Sequence, residues 1–594
     1  VNPWLLLVVP ACYLATLKFL DGRYPLTQSF PSNMLFSFEW TEQIRAGIWY
    51  PRWLEHAYAG LGNPTFHFYG PLCMYAVLPF SVVLKLPLTT SILLGTTLAL
   101  PVMGLGVARL TAVLCSPERR WLQGATAALA VLAPYPWIDV YVRGAMAEIW
   151  AMAILPWLLA ALLESLSSRD ARDRFRVVVT MALLGLCHPP VFMISTGAIA
   201  VGLLTTSSNW RDLVTAVRRC LIPMAAGVLL DAFYLASAII DQRYVNIDVL
   251  NEGPFAQPPA HVLAGALGHL SSKMAEGFEA DMVPGFLAGA VAVLWAARLI
   301  WRRGHPDGTG ATRNVVFLIA LALFSAFMMT DLGNGVYGLV PLLNRIQFAY
   351  RWLSVYCIAT TALWGLVLLG ATQPSPRGQG LSRVVAWIAV LGVATLALGT
   401  LSPRVTADED ARKGMEALFA KTQAPDDFGN PAAAPKQVGW GGGVIYADAN
   451  GKLLYLDLAE YMPRGKPNRG FPPRLFAPVE WASGRGTVSN LSWRPQFRGF
   501  EADSPTGGDL LIRTAAWLGW RVDVNGARQP ADRAGDEGRM RIAVPAGHSK
   551  VVVRYAGTPA QRLGNAVSLL TLLGLVGLAF LTRARPAARF DWGI

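Results

Sequence analysis

"PLCMYAVLPFSVVLKL", residues 71–86, decides how the chain is threaded. Counted as a membrane crossing, it reverses the sidedness of everything that follows. A helical crossing needs about 20 apolar residues, and this run has 16, bracketed by Pro71 and Pro87 with Pro79 inside it. Proline removes a backbone donor and clashes with the preceding turn. The run is therefore read as a re-entrant or interfacial helix.

Working outward from that stretch, the 594-residue chain is 53% hydrophobic and 15% charged, which places it among polytopic membrane proteins. Apolar runs near 3–20, 91–114, 121–138, 148–166, 176–189, 190–206, 220–240, 284–301, 314–331, 351–371, 384–401 and 562–582 read as about twelve spans. Residues 3–20 are taken as the first span, since no small-residue cleavage site follows them. The run 176–206 divides at "CHPPVF" (187–192), where paired prolines interrupt the helix.

Basic residues concentrate in short connectors such as "CSPERRW" (115–121), "NWRDLVTAVRR" (209–219) and the tail "TRARPAAR" (582–589). Cytoplasmic loops carry such an excess, which accounts for the net charge of +13 without nucleic acid. With all these connectors cytoplasmic, both termini lie inside a bacterial inner membrane. Segments 21–90, 139–147, 241–283, 332–350 and 402–561 then converge on the periplasmic side. The expected organisation is a transmembrane body over 1–401, a mostly-β sandwich-like domain over 402–561, and a last span with a short tail over 562–594. "VIYADANGKLLYLDL" (444–458) and "WRVDVNGARQPA" (520–531) each carry an Asn-Gly hairpin signal between strand-like halves. No cysteine falls within 402–560, so that domain folds without disulfides.

Phosphate-loop, dinucleotide-binding and zinc-protease motifs are absent. What remains are polar groups at membrane edges, where holding them is costly. Segment 139–157 carries Asp139, Arg143 and Glu148. If one helix begins at "RGAMAE", Arg143 and Glu148 stand five residues apart, roughly 140° around it, and need not pair. A carboxylate there suits proton transfer or a divalent metal, and the guanidinium suits a phosphate. "LLNRIQFAYRWLSV" (342–355) supplies Arg345, Gln347 and Arg351 at another boundary, against the charge bias, and so implies an anionic partner. The first loop offers Arg52, Glu39, Glu55, His67 and Tyr69 within or beside an aromatic, Gly- and Pro-rich stretch suited to lining a chamber. Asp231 lies mid-span and should face the bundle interior.

The ordered stretches "RAGIWYPRWLEHAYAGLGNPTFHFYGPL" (45–72), "YVRGAMAEIWAMAILPW" (141–157), "RIQFAYRWLSV" (345–355), "AEYMP" (459–463) and "LGWRVDVNGARQP" (518–530) resemble a bacterial polytopic family described as 6-pyruvoyl-tetrahydropterin synthase related. That family is similar to the GT-C superfamily of membrane glycosyltransferases. The resemblance implies a polyprenyl-phosphate sugar donor, a first-loop acid acting as base, arginines on the donor phosphate and, in some members, a divalent metal. It assigns Glu148, Glu39, Glu55 and His67 to catalysis, and Arg143, Arg345, Gln347, Arg351, Tyr69 and Arg52 to substrate binding. Related chains carry an Asp and then a His four residues on, upstream of "YPRW". Here Asn33 and Ser37 stand in those places. Two expectations follow: an inner-membrane glycosyltransferase acting on a periplasmic acceptor, or a non-catalytic lipid-binding or assembly component working with envelope-complex protein partners.

Overall fold

The computed structural model describes residues 2–16, 27–58, 60–115, 118–168, 170–246, 279–302, 310–340, 343, 346, 348–372, 417, 436–440, 443–447, 453–457, 476–534 and 538–583. The expected span 384–401 and the sites at Arg345 and Gln347 lie outside these residues.

The helical body runs α1 (Val8–Thr16), α2 (Phe30–Arg45), α3 (Leu72–Leu78), α4 (Leu88–Thr97), α5 (Ala99–Cys115), α6 (Arg120–Val131), α7 (Pro134–Ile138) and α8 (Met146–Ser167). It continues through α9 (Ala171–Cys187), α10 (Pro189–Thr205), α11 (Trp210–Ala216), α12 (Ile222–Leu230), α13 (Ala232–Ile240), α14 (Glu279–Arg302), α15 (Gly310–Met328), α16 (Asn334–Leu339) and α17 (Leu353–Thr372). After the strands, α18 (Pro559–Arg583) closes the described chain. Among the described residues, seven helical stretches are long and apolar enough to cross a membrane.

The stretch 71–86 forms α3 and a π turn over Pro79–Val83. At 1.5 Å per residue this 72–83 helix reaches only about 18 Å, short of a hydrocarbon core of roughly 30 Å. Pro189 and Pro190 split α9 from α10, with His188 extended between them at φ −153°. Asp231 likewise divides the expected 220–240 span into α12 and α13.

α8 is the axle of the body. It is apolar on every side, and 94% of its membrane-length window is buried inside the protein. Its closest neighbour, α5, approaches through Gly106, where a Cβ would come within 2.7 Å of Pro156 and Trp157. The indoles of Trp150 and Trp157 donate to the carbonyls of Gly95 in α4 and Val102 in α5, each at 3.0 Å, and fix the register of α8 against those two helices.

The strands are β1 (Lys436–Trp440), β2 (Gly443–Ala447), β3 (Leu453–Asp457), β4 (Val479–Gly484), β5 (Thr487–Arg494), β6 (Phe497–Ser504), β7 (Gly508–Ala515), β8 (Trp520–Val524), β9 (Ala527–Gln529), β10 (Asp532–Ala534), β11 (Arg539–Val544) and β12 (Gly547–Tyr555). The first three form an antiparallel meander. The others form two antiparallel sheets, ordered β10-β11-β7-β4 and β5-β6-β12-β8-β9. Alternate residues such as Val551, Val553, Val522 and Val524 fill the core between them. Asn525 and Gly526 both take positive φ (52° and 81°), giving the tight β8–β9 hairpin that "VNGA" predicts.

The first loop is the seat of this β domain. Trp53, Leu61 and Phe68 belong to the same buried cluster as Trp517, Trp520, Val551 and Val553. Ala515 N–H donates to the Leu61 carbonyl at 2.8 Å, extending β7 onto the loop. Glu55 is buried against Arg498 at 2.5 Å and accepts from Gln496 N–H at 2.9 Å. Burial holds the Glu55 carboxyl above the usual carboxylate range, with the Arg498 guanidinium opposing the shift only in part. That guanidinium is itself sandwiched between Trp493 and Trp520, 4.4 and 4.9 Å from their ring centroids.

Removing one partner of a buried ion pair costs about 3–5 kcal/mol, whereas replacing both with apolar groups restores most of it. Arg498→Met is therefore expected to expose the β domain to limited proteolysis in detergent. Glu55→Leu combined with Arg498→Met should regain protection, and equal sensitivity of single and double variants would contradict this role.

Candidate functional site

Residues 134–148 fold as three unlike pieces. α7 opens on Pro134, the π turn Asp139–Arg143 continues it, and Gly144 reverses the chain at φ +66° before α8 starts at Met146. Only glycine fits there, because a Cβ would come within 2.1 Å of Thr27 Oγ1. The single-helix geometry expected for "RGAMAE" is therefore wrong, and so is its consequence. Arg143 precedes the helix rather than starting it, and its Nη1 donates to Glu148 Oε2 at 2.8 Å.

Glu148 is the hub of a buried cluster. Its Oε1 accepts from Tyr135 Oη at 2.5 Å and from Ser354 Oγ at 3.1 Å. Arg351 Nε stands 3.4 Å from its Oε2. Asp139 also accepts from Arg143, whose guanidinium lies over the Tyr350 ring at 4.9 Å. His188, set between α9 and α10 at their break, is half-buried and near enough to feel the charges of Arg351, Glu148 and Arg143. Two carboxylates and two guanidiniums thus offset one another within the helical body. Arg351 is the most open of the four, its side chain 12% exposed against 6% for Arg143, 1% for Glu148 and none for Asp139.

The first loop meets this cluster at its beginning. Gln28 N–H and Ser29 N–H donate to the carbonyls of Val142 and Arg143, each at 3.0 Å. Asn33, standing where related chains carry an acid, donates from Nδ2 to the Gly144 carbonyl at 2.7 Å. Ser37, one turn on, faces Met74 Sδ at 3.9 Å.

The other first-loop candidates are held elsewhere. Glu39 accepts from His56 N–H at 2.7 Å and contacts its Nδ1 at 2.7 Å, and Gln43 Nε2 adds a bond at 3.1 Å. Glu55 serves the β-domain contact described above. His67 meets Tyr555 Oη at 2.6 Å, Gln561 Nε2 at 3.3 Å and Asp241 at 3.6 Å. Arg52 donates to the Phe233 carbonyl at 3.0 Å and lies over Tyr50. The Tyr69 ring packs edge-on against Phe36 at 5.1 Å. Most of the loop's aromatics thus meet protein rather than an open chamber, although Trp49 is exposed, and among the described residues the structure joins Arg143, Glu148 and Arg351 from the sequence-derived set.

Residues 66–251 match the family model described as 6-pyruvoyl-tetrahydropterin synthase related domain, a membrane protein. The matched domain carries Asp139, Arg143, Glu148 and His188 and stops short of Arg351. Among solved structures, similarity is found to the oligosaccharyltransferase of Archaeoglobus fulgidus in its apo form, with 14% identity over 67% of this chain and 55% of that one, at a TM-score of 0.45. The mycobacterial arabinofuranosyltransferase AftD matches with 14% identity over 94% of this chain and 57% of its own, at a TM-score of 0.45. ArnT from Cupriavidus metallidurans, solved with undecaprenyl phosphate, matches with 16% identity over 70% of this chain and 73% of its own, at a TM-score of 0.34. The chain spans little more than half the length of the first two. No curated protein matches.

Among the described residues, the donors of the cluster do not fit a divalent metal, since its carboxylates are taken up by arginines. No group of three His, Cys, Asp or Glu side chains converges among the described residues. Asp139 and Glu148, the two carboxylates of the cluster, both face Arg143 rather than a shared vacant position. Tyr135 and Ser354 escape sequence reasoning, although both leave a trace in it. Tyr135 sits between two prolines just before Asp139, and Ser354 follows Arg351 by three residues, on the same helical side.

Glu148→Ala leaves two buried guanidiniums short of a partner and is expected to destabilise the body by roughly 3 kcal/mol or more. Thermal unfolding in detergent measures this, and an unchanged Tm would show that Glu148 does not organise the cluster. Burial pushes the His67 imidazole down to about 4. Its neutral form therefore supports the fold fully above the unfolded value of about 6.5, and that support is lost as pH falls towards the folded value. The Tm of the wild type should fall more steeply than that of His67→Gln between those limits, and parallel profiles would remove His67 from the pH response.

Proposed function

We propose that this chain is a membrane glycosyltransferase that takes a sugar from a polyprenyl-phosphate donor on the periplasmic side of a bacterial inner membrane. The observation that carries the reading is the convergence of Arg143 and Arg351, from separate segments, on Glu148. Guanidiniums are well matched to phosphate oxygens. Arg351 makes one long ion contact within the cluster and is its most open member. It meets the donor phosphate, while Glu148, held by Tyr135 and Ser354 as well, fixes where both arginines point.

In a direct displacement, the acceptor hydroxyl oxygen attacks the anomeric carbon and the carbon–oxygen bond to phosphate breaks. The phosphate leaves with the electron pair, and the acceptor proton passes to a base. Two fixed guanidiniums favour the charge that develops on the leaving phosphate. Glu148, the carboxylate that touches both guanidiniums, is the base assigned to receive the proton. Glu39, Glu55 and His67 have roles in holding the first loop, as do Arg52 and Tyr69.

A second reading is favoured by Asn33. An amide stands at the position of the expected acid and is used to hold the Gly144 carbonyl. The chain would then bind the lipid-linked donor without turning it over, as a component of an envelope complex.

Purified protein given radiolabelled polyprenyl-phosphate sugars separates the two. Turnover that falls at least tenfold in Arg351→Ala supports the transferase. Saturable donor binding, weakened in Arg351→Ala but without turnover across a donor panel, supports the second reading. Absence of both binding and turnover removes both.

A further inference from the structure

We propose that a second site, a hollow where the β domain meets the turn after α13, binds an anionic saccharide. The hollow has a volume of about 710 Å³, and its wall includes Arg243, Tyr244, Trp517, Arg521, Arg528 and Arg533. That volume lies within the range of small-molecule sites, about 300–1,000 Å³. None of its lining residues belongs to the Glu148 cluster.

Three separate pieces of chain bring these arginines together. Arg243 comes from the 3-10 turn Asp241–Tyr244, held in place where Thr558 Oγ1 donates to Asp241 at 2.7 Å. Arg521 and Arg528 come from β8 and β9, on either side of the Asn525-Gly526 hairpin. Arg533 comes from β10, which belongs to the other sheet. The hollow therefore lies where the two sheets and the helical body meet, and it exists only when they are docked.

Charge in the hollow is one-sided. Among the described residues, its wall contains four arginines and no carboxylate. Carboxylates flank it without entering the wall: Asp241 accepts from Thr558, Asp532 is the register partner of Arg541, and Asp523 offsets Arg521, which leaves Arg243, Arg528 and Arg533 as the wall's excess charge. Asp523 pairs with Arg521 at 3.0 Å, lies 3.8 Å from Arg554, and is the register partner of Arg528. Like charges gathered around one concavity repel, and an anion that bridges them relieves the repulsion. Arginine forks suit carboxylate, sulfate or phosphate oxygens.

The rest of the wall says what carries the anion. Tyr244 and Trp517 stand at right angles, ring centroids 6.3 Å apart, and Arg243 lies over Tyr244 at 4.8 Å. Rigid aromatic surfaces beside fixed cations suit a molecule with apolar C–H faces and anionic substituents. A uronate-bearing or phosphorylated oligosaccharide has both.

Full-length protein in phosphatidylcholine nanodiscs, titrated calorimetrically with trigalacturonate and with neutral maltotriose, tests the assignment. Trigalacturonate should bind saturably and maltotriose should not. Arg528→Ala and Arg243→Ala should each weaken binding by about tenfold, as expected for loss of one charge-assisted contact. Glu148→Gln should leave it unchanged, so that this site and the proposed transferase centre stand or fall separately. Failure of trigalacturonate to bind, equal binding of maltotriose, or indifference to both arginine variants would overturn the proposal. Tighter binding of glycerol 3-phosphate than of trigalacturonate would overturn it too, by showing that the saccharide rings add nothing and assigning the hollow to a phosphoglyceride headgroup.

Discussion

A carboxylate buried among apolar helices is tolerable only when its charge is met at close range. Glu148 meets that condition with two guanidiniums, a phenol and a serine hydroxyl. Much of the body is arranged to make this possible. α7 must end in a π turn, Gly144 must reverse the chain, and α8 must then bury almost its entire length. α17 must begin close enough to bring both Arg351 and Ser354 to the same oxygens. The start of the first loop braces the turn through Gln28, Ser29 and Asn33.

The first loop links this centre to the β domain through α2, whose 16 residues span about 24 Å at the helical rise. Its beginning touches the Arg143–Gly144 turn, and its later part enters the β-domain core through Trp53, Leu61 and Phe68. α2 itself is buried along most of its length, with Phe36 and Phe38 set against Tyr69 and His56. Polar groups at the far junction are equally committed, with Glu55 on Arg498 and His67 among Tyr555, Gln561 and Asp241.

Local pattern carried part of this. Apolar length and the Pro189-Pro190 pair are legible because span length and proline chemistry act within a few residues. The Asn525-Gly526 hairpin is legible for the same reason, since its positive φ pair is a property of the turn itself. Charge bias singled out Arg351, and the cost of an acid at a span edge singled out Glu148. The pairing of Arg143 with Glu148 was not legible, because ideal helix geometry separates them and only the π turn with Gly144 joins them. Nor was the Glu55–Arg498 contact, which closes over 443 positions of sequence and depends on how the β domain seats. First-loop acids looked like candidate bases because residue type says nothing about which partner claims them.

α18, which carries the β domain back to the membrane, has only 6% of its apolar window buried inside the protein. Its grip is local. A Cβ at Gly564 would come within 2.1 Å of the Ala232 carbonyl, and Ser568 Oγ accepts from Phe233 N–H at 2.9 Å. Most positions of this helix can therefore change among apolar residues without disturbing a contact inside the protein, while the narrow stripe facing α13 has no room for a larger side chain. Anchoring strength and positional accuracy are separated along one segment, the first set by bulk composition and the second by two small residues.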